Sequence, residues 1–166
     1  MLGSLGIYGL GGTWEQSIID LYYMYMISEI EDKIITALQG SGLVDICKTI
    51  SSYHGEIDDI VAEVMQLKIS MPAALVLYGG SRFDETANRS FDDEMQFSIV
   101  FIAKDLRGRE NLKTGIYAML EAAKATLVDN DLGLNIEPLH PISIEAAMIT
   151  KLFSIYVFDI KTSFSM

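Results

Sequence analysis

Cysteine is almost absent from this chain: Cys47 is the single one among 166 residues. No internal disulfide can staple the fold, and a reducing compartment fits. An isolated thiol within an apolar-patterned segment reads as a small buried hydrophobe rather than a nucleophile. Histidine is nearly as scarce, with only His54 and His140. Neither has a second histidine or cysteine at ligand spacing, so a zinc-type metal site is not expected. No Lys or Arg precedes Lys33, which leaves no charged n-region for a signal peptide. No apolar run approaches the length that crosses a bilayer. Basic residues are in deficit throughout: 12 Lys and Arg against 23 Asp and Glu give a net charge of 12 − 23 = −11. That balance repels phosphate backbones and anionic lipid, so neither sequence-independent nucleic-acid binding nor a membrane partner is expected.

What the chain does contain is apolar residues, half of its length, which excludes a disordered polymer. Its length suits one ordinary core, hence one domain. Residues 1–25 stand apart as an extension or arm. The opening MLGSLGIYGLGGTW is glycine-rich and uncharged, and leads into Tyr22, Tyr23 and Tyr25. This segment is either read-through from an upstream start, with Met26 the ancestral initiator, or an arm that orders against a partner.

From Met26 to Met166 the pattern is that of a single α+β domain. Ser28-Glu29-Ile30-Glu31 reads as a capping box, with Ile27, Ile30, Ile34 and Leu38 forming one stripe and Gly40 at the stop. Val44, Ile46, Lys48 and Ile50 alternate with their neighbours as in a strand. Ile57 to Leu67 returns to helical spacing. Ala73 to Tyr78 is a short continuous apolar strand preceded by Pro72. The run EMQFSIVFIAKD is the longest strand signal, with Met95, Phe97, Ile99 and Phe101 facing a core. A helix carried by Leu112 to Leu127 follows, then strands at Leu134–Pro138 and Leu152–Ile160. About five strands in a mixed or antiparallel sheet, packed by two or three helices, are expected.

The stretch MPAALVLYGGSRFD tests whether a glycine pair marks phosphate chemistry. A P-loop needs Gly, four residues, then Gly-Lys-Ser/Thr, so that backbone N–H groups and a lysine surround the phosphate. That spacing is missing. Gly79 and Gly80 therefore read as the bend that opens a long hairpin loop from Ser81 to Asp93. Gly79-Gly80-Ser81 also lacks the G-x-S-x-G elbow of serine hydrolases. Asp129-Asn-Asp131-Leu-Gly133 departs from a calcium loop, because its glycine falls one position early and His140 stands where the closing Glu belongs. One charge feature contrasts with the acidic background: KDLRGRENLK gathers Lys104, Arg107, Arg109 and Lys113 at a strand-to-helix connection. It reads as a solvated turn, or as a patch that docks an acidic neighbouring subunit.

Together MISEIEDKIITALQ, ISSYHGEIDD, MPAALVLYGGSRF, QFSIVFIAKDLRG, GIYAMLEAAKATL and LGLNIEPLHPI resemble the small tail protein family of Mu-like prophages, the phage tail terminators. The likeness spans roughly Met26 to Ile160. It implies a homo-oligomeric ring, a hexamer, that caps the tail tube and sheath, joins them to head-side neck or connector proteins, and lets DNA pass its lumen. It implies a virion-tail component of a contractile-tailed particle assembled in the host cytoplasm, with no enzyme activity, no cofactor and no catalytic residue. A head–tail connector is the competing structural reading, and a hydrolase using His54 with Asp58 a distant third. Arg82 and Phe83, Phe91 and Phe164, Tyr22, Tyr23 and Tyr25, and Arg107 and Arg109 are the interface candidates. The aromatics lie in segments that a core explains poorly, and arginines suit an acidic neighbour.

Overall fold

Helix α1 (Ile27–Gln39) forms because Ile30, Ile34 and Leu38 recur every fourth residue, and all three are fully buried. The computed structural model describes residues 27–61, 69–104, 115–150 and 152–165. Past α1, the Gly40 N–H returns to the Thr36 carbonyl at 2.9 Å and the chain turns. The Ser41 hydroxyl then donates to the Leu38 carbonyl (2.6 Å) and accepts from the Leu43 N–H (3.2 Å). That cap winds Gly42–Asp45 into a short 3-10 helix with Leu43 buried beneath it. The strand expected from Val44 is thereby displaced: β1 is only Thr49–Ser52. Local hydrogen bonding by Ser41 overrides the alternation of Val44 and Ile46.

After α2 (Glu56–Val61), the chain enters β2 (Ala73–Glu85) through a cis Met71–Pro72 bond, and β2 pairs in parallel with β1. Ala73 to Val76 are all buried because both faces of the sheet are covered here. Strand β3 (Phe91–Lys104) runs antiparallel to β2 over almost its whole length. The hairpin exists, but its polar residues are strand rather than loop, and β5 runs beside β3 as far as Asp92 instead of leaving the hairpin to project. Pairing continues to Glu85 with Phe91, and only Thr86–Ser90 turns, with the Thr86 N–H on the Ser90 carbonyl at 2.9 Å. Asp and Asn in the stretch hid the strand propensity, and cross-strand pairing supplied it.

Helix α3 (Ile116–Leu127) precedes a connection in which the strand expected at Leu134–Pro138 is absent. That segment is irregular, fixed by the Glu137 N–H on the Ser163 carbonyl (2.8 Å) and the Leu139 N–H on the Asn130 carbonyl (2.9 Å). The next strand is β4 (His140–Ile149), and β5 (Phe153–Ser165) closes the sheet. The sheet order is β1-β2-β3-β5-β4, with every pairing after the first antiparallel. The result is an α+β fold with a five-stranded mixed sheet and three helices among the described residues.

Two clusters of buried residues lie on opposite faces. Helices α1 and α3 cover the larger one, where Ile34, Leu38, Met119 and Leu127 meet Val76, Phe97, Ile99, Phe101, Phe158 and Ile160. The smaller one gathers Ala73, Leu75, Val100, Ile102 and Ile155 under Tyr53, Ile57, Ile69 and Met71. The rest of the second face is polar: Lys161 pairs with Glu94 at 2.9 Å, and Asp159 accepts from the Ser98 and Ser143 hydroxyls. Cys47 is buried at the margin of the larger cluster, and burial pushes its thiol up to about 12. The folded state therefore holds the proton more tightly than the unfolded chain. Its contribution to stability is complete below the ordinary thiol range and lost as pH rises through that range toward 12. Modification of Cys47 at neutral pH should thus follow unfolding: a disulfide reagent should be inert toward native protein and exchange stoichiometrically with the thiol in denaturant.

Candidate assembly interface

The short sequence patterns with a chemical reading serve local backbone geometry among the described residues. His54 is largely exposed, its backbone N–H donates to Glu56 Oε2 at 2.7 Å, and its Nδ1 lies 3.9 Å from Glu56 Oε1. The carboxylate beside it is Glu56, not Asp58, so the geometry is that of a pinned turn leading into α2. Replacing His54 by Ala should change stability by under about half a kcal/mol and leave assembly intact, as read by melting and negative-stain imaging. In the turn after α3, Asn130 Oδ1 accepts from the Leu132 N–H and Asp131 Oδ1 from the Gly133 N–H, each at 2.8 Å. Those side chains are occupied in holding left-handed backbone at Asp129, Leu132 and Gly133. Among the described residues no group of three His, Cys, Asp or Glu stands together as metal ligands.

The glycine pair answers to backbone geometry. A Cβ on Gly79 would sit 3.3 Å from the Gln96 carbonyl oxygen, and Gly80 has φ +129°. The register of β2 slips here by one residue, and the Tyr78 hydroxyl spans the bend to Ser81 Oγ at 2.6 Å. Such a bulge strengthens the local twist of β2. Beyond it, side chains paired across the strands share a face. Phe83, Asp93 and Phe164 form one row, and Glu85 and Phe91 the next.

The expected interface residues fall into three groups. Phe83 and Phe91 are 57% and 44% exposed, close together on one face of the hairpin. Arg82 is exposed on the other face and reaches Asp84 Oδ1 at 3.3 Å. Phe164 departs from the expectation: it is 9% exposed within the larger cluster, because β5 extends along β3 as far as Ser165 and gives the C-terminal aromatic a core position. Tyr22, Tyr23, Tyr25, Arg107 and Arg109 lie outside the described residues. Between Phe83 and Phe164, Asp93 is 6% exposed and its Oδ1 has no hydrogen-bond partner. An unsatisfied buried oxygen of that kind costs about 1–3 kcal/mol, and a donor from outside the subunit would relieve it.

A second surface escaped the sequence reading. Strand β4 lies at the sheet edge, and most of its residues are exposed. Its pairing with β5 slips between Pro141 and Ser143 and again between Ala146 and Met148. Those two bulges keep Pro141, Ile144, Ala146 and Ile149 on the helix-bearing face, opposite Ile160, Phe158, Tyr156 and Ser154. Helix α3 does not reach across that face. Ile142, Ile144, Ile149 and Leu152 remain exposed, the last two at 62% and 68%. Tyr117 of α3 meets Tyr156 edge-on at 6.2 Å, and burial, followed by the Tyr117 hydroxyl, raises Tyr156 above the usual phenol range. The signal available in the sequence was Pro-Ile-Ser-Ile-Glu, an alternating run whose proline marks an edge strand.

An exposed hairpin with two aromatics and an exposed apolar edge strand are the main apolar features of the described surface. Among the described residues no helix is long and apolar enough to cross a membrane. No curated protein sequence matches the chain. Among solved structures it is similar to a chain in the virion of a native gene transfer agent particle. The TM-score is 0.57 at 14% identity, over 86% of this chain and 100% of that one. The family model described as Bacteriophage Mu, Gp37 matches residues 26–165. By that match over most of its length, the chain belongs to the Bacteriophage Mu Gp37 family of phage proteins.

Proposed function

We propose that the protein is a structural component of a phage-type virion, a tail terminator that forms a ring, caps the finished tail tube and sheath, and joins them to the head-side neck. The observation that carries this reading is the family match over residues 26–165. Support comes from the fold shared with a chain of a virion particle. The exposed hairpin and edge strand are the kind of surface a subunit needs when it packs between identical neighbours. The reading is structural, not catalytic. A net charge of −11 per subunit makes any such ring strongly acidic, so DNA passes its lumen without adhering. Residues 1–25 act as an arm on this reading, and the ring assembles in the host cytoplasm before the particle is complete.

Particles produced without the protein test the role. Loss of a terminator gives tails of irregular length, whereas loss of a head–tail connector gives free tails of normal length beside unfilled heads. A tail-length histogram as narrow as that of the intact particle would exclude the terminator role.

A further inference from the structure

Among the described residues both edges of the sheet are open, at different heights. On one side β1 pairs with β2 only from Ala73 to Val76, so β2 from Leu77 to Glu85 has no neighbour on that side among the described residues. On the other side β4 pairs with β5 and with no other strand among the described residues. Edges with unpaired backbone groups are templates for another strand, and Pro141, the two bulges of β4 and the charges of Arg82 and Asp84 restrict which strand can add. The strand directions decide how they meet. Strands β2, β3, β5 and β4 alternate in direction, so β4 runs opposite to β2. When copies of one chain stand side by side in a ring, each keeps its orientation toward the axis. The β4 edge of one then faces the β2 edge of the next in antiparallel sense, the more stable pairing. Because Ile144 stands level with Val76 and the free part of β2 lies further along the strand, the strands are inclined to the ring axis, as in a closed barrel.

We infer that in the assembled ring β4 of each subunit pairs with the distal half of β2 in its neighbour, in the register that sets Phe83 opposite Ile144. This rests on the ring proposed above and adds the junction that closes it. The occupant is a second copy, because the two edges fit each other residue by residue. The regular part of β4 between its bulges is Ser143–Ala146, and the regular part of β2 beyond its own bulge starts at Ser81. In that register Ser81 meets Ala146, Arg82 meets Glu145, Phe83 meets Ile144 and Asp84 meets Ser143.

The faces agree as well. Phe83 and Ile144 both lie on the helix-bearing side, and Arg82, Asp84, Ser143 and Glu145 on the other, as their partners in β3 and β5 fix. Two exposed apolar side chains are thus covered together, and the Arg82 guanidinium gains a carboxylate. Arg82 now holds only Asp84, in an exposed pair that is worth little and easily exchanged. Strand β1 does not obstruct the arrangement, because it occupies that edge only along Ala73 to Val76.

Full-length protein carrying Arg82→Cys with Glu145→Cys tests the junction. Within one subunit β2 and β4 are separated by three strand spacings, about 14 Å, which no disulfide spans. The buried Cys47 does not compete. Mild oxidation of assembled rings should give a ladder of covalent multimers up to ring size, while either single variant gives none. In parallel, Arg82→Glu alone and Glu145→Arg alone should each cut assembly at least about tenfold, and the two together should recover most of it. Melting curves confirm that every variant folds. If wild-type rings form but the ladder is missing and the exchange fails to rescue, the junction lies elsewhere and the inference falls while the ring stands. Cross-linking that stops at dimers indicates a symmetric contact and overturns it too. A wild-type chain that stays monomeric with tail tubes present removes the ring, and the junction with it.

Discussion

Replacing Phe83 and Phe91 together by Ser should leave the subunit folded and abolish its assembly. Both rings are more than two-fifths exposed, on a hairpin whose strands are held by backbone pairing and by the Thr86–Ser90 turn. Surface substitutions of this kind change stability by about half a kcal/mol each. Their melting transition should therefore match the parent within a few degrees. In the proposed interface the same two rings would be anchors, and truncating one aromatic hot spot costs about 2 kcal/mol or more in binding. Two together correspond to a loss of roughly a thousandfold in affinity. Light scattering of the variant with purified tail tubes should show monomer and bare tubes. Unchanged capping by a folded double variant would leave the hairpin without a role in assembly.

The largest effect on stability is expected at Phe101. It lies in β3, the central strand of the sheet, is fully buried, and packs in the cluster under α1 and α3. Phe101→Ala removes an aromatic ring from a site fixed by strands on both sides, where collapse into the cavity is limited. Such changes cost about 3–5 kcal/mol, a large part of the 5–15 kcal/mol that typically holds a domain together. A fall of about 10 °C or more in Tm, with a matching drop in urea midpoint at constant slope, is the expected result. A loss below about 1 kcal/mol would mean that this face is not the close-packed core described above.

Much of the fold could be read directly, and the errors share a cause. Periodicity found α1, α3, β3 and the start of β2, because those segments bury one stripe or one alternate face and their pattern is simple. It failed where a local hydrogen bond took over, as when Ser41 wound the next four residues into a 3-10 turn ahead of β1. It failed again where both faces of a strand are wet. Strand β4 buries almost nothing, so its residues carry no core signal, and the apolar Leu134–Pro138 segment took its place in the reading. Strand pairing is a long-range property: Phe164 looked like a loose terminus until β5 was found to extend along β3 to Asp92. The proposed assembly surface was half legible for the same reason. Exposed aromatics on a polar hairpin stand out in sequence, whereas an open sheet edge exists only once the strand order is known.

Locating the protein on the particle tests the central claim most directly. Particles carrying a tagged copy, labelled with gold and imaged by negative stain, should show label as a single band at the head-proximal end of the tail tube. That is where a ring closing the tube must sit. Label spread along the sheath, confined to the distal end, or missing from purified particles would contradict the account.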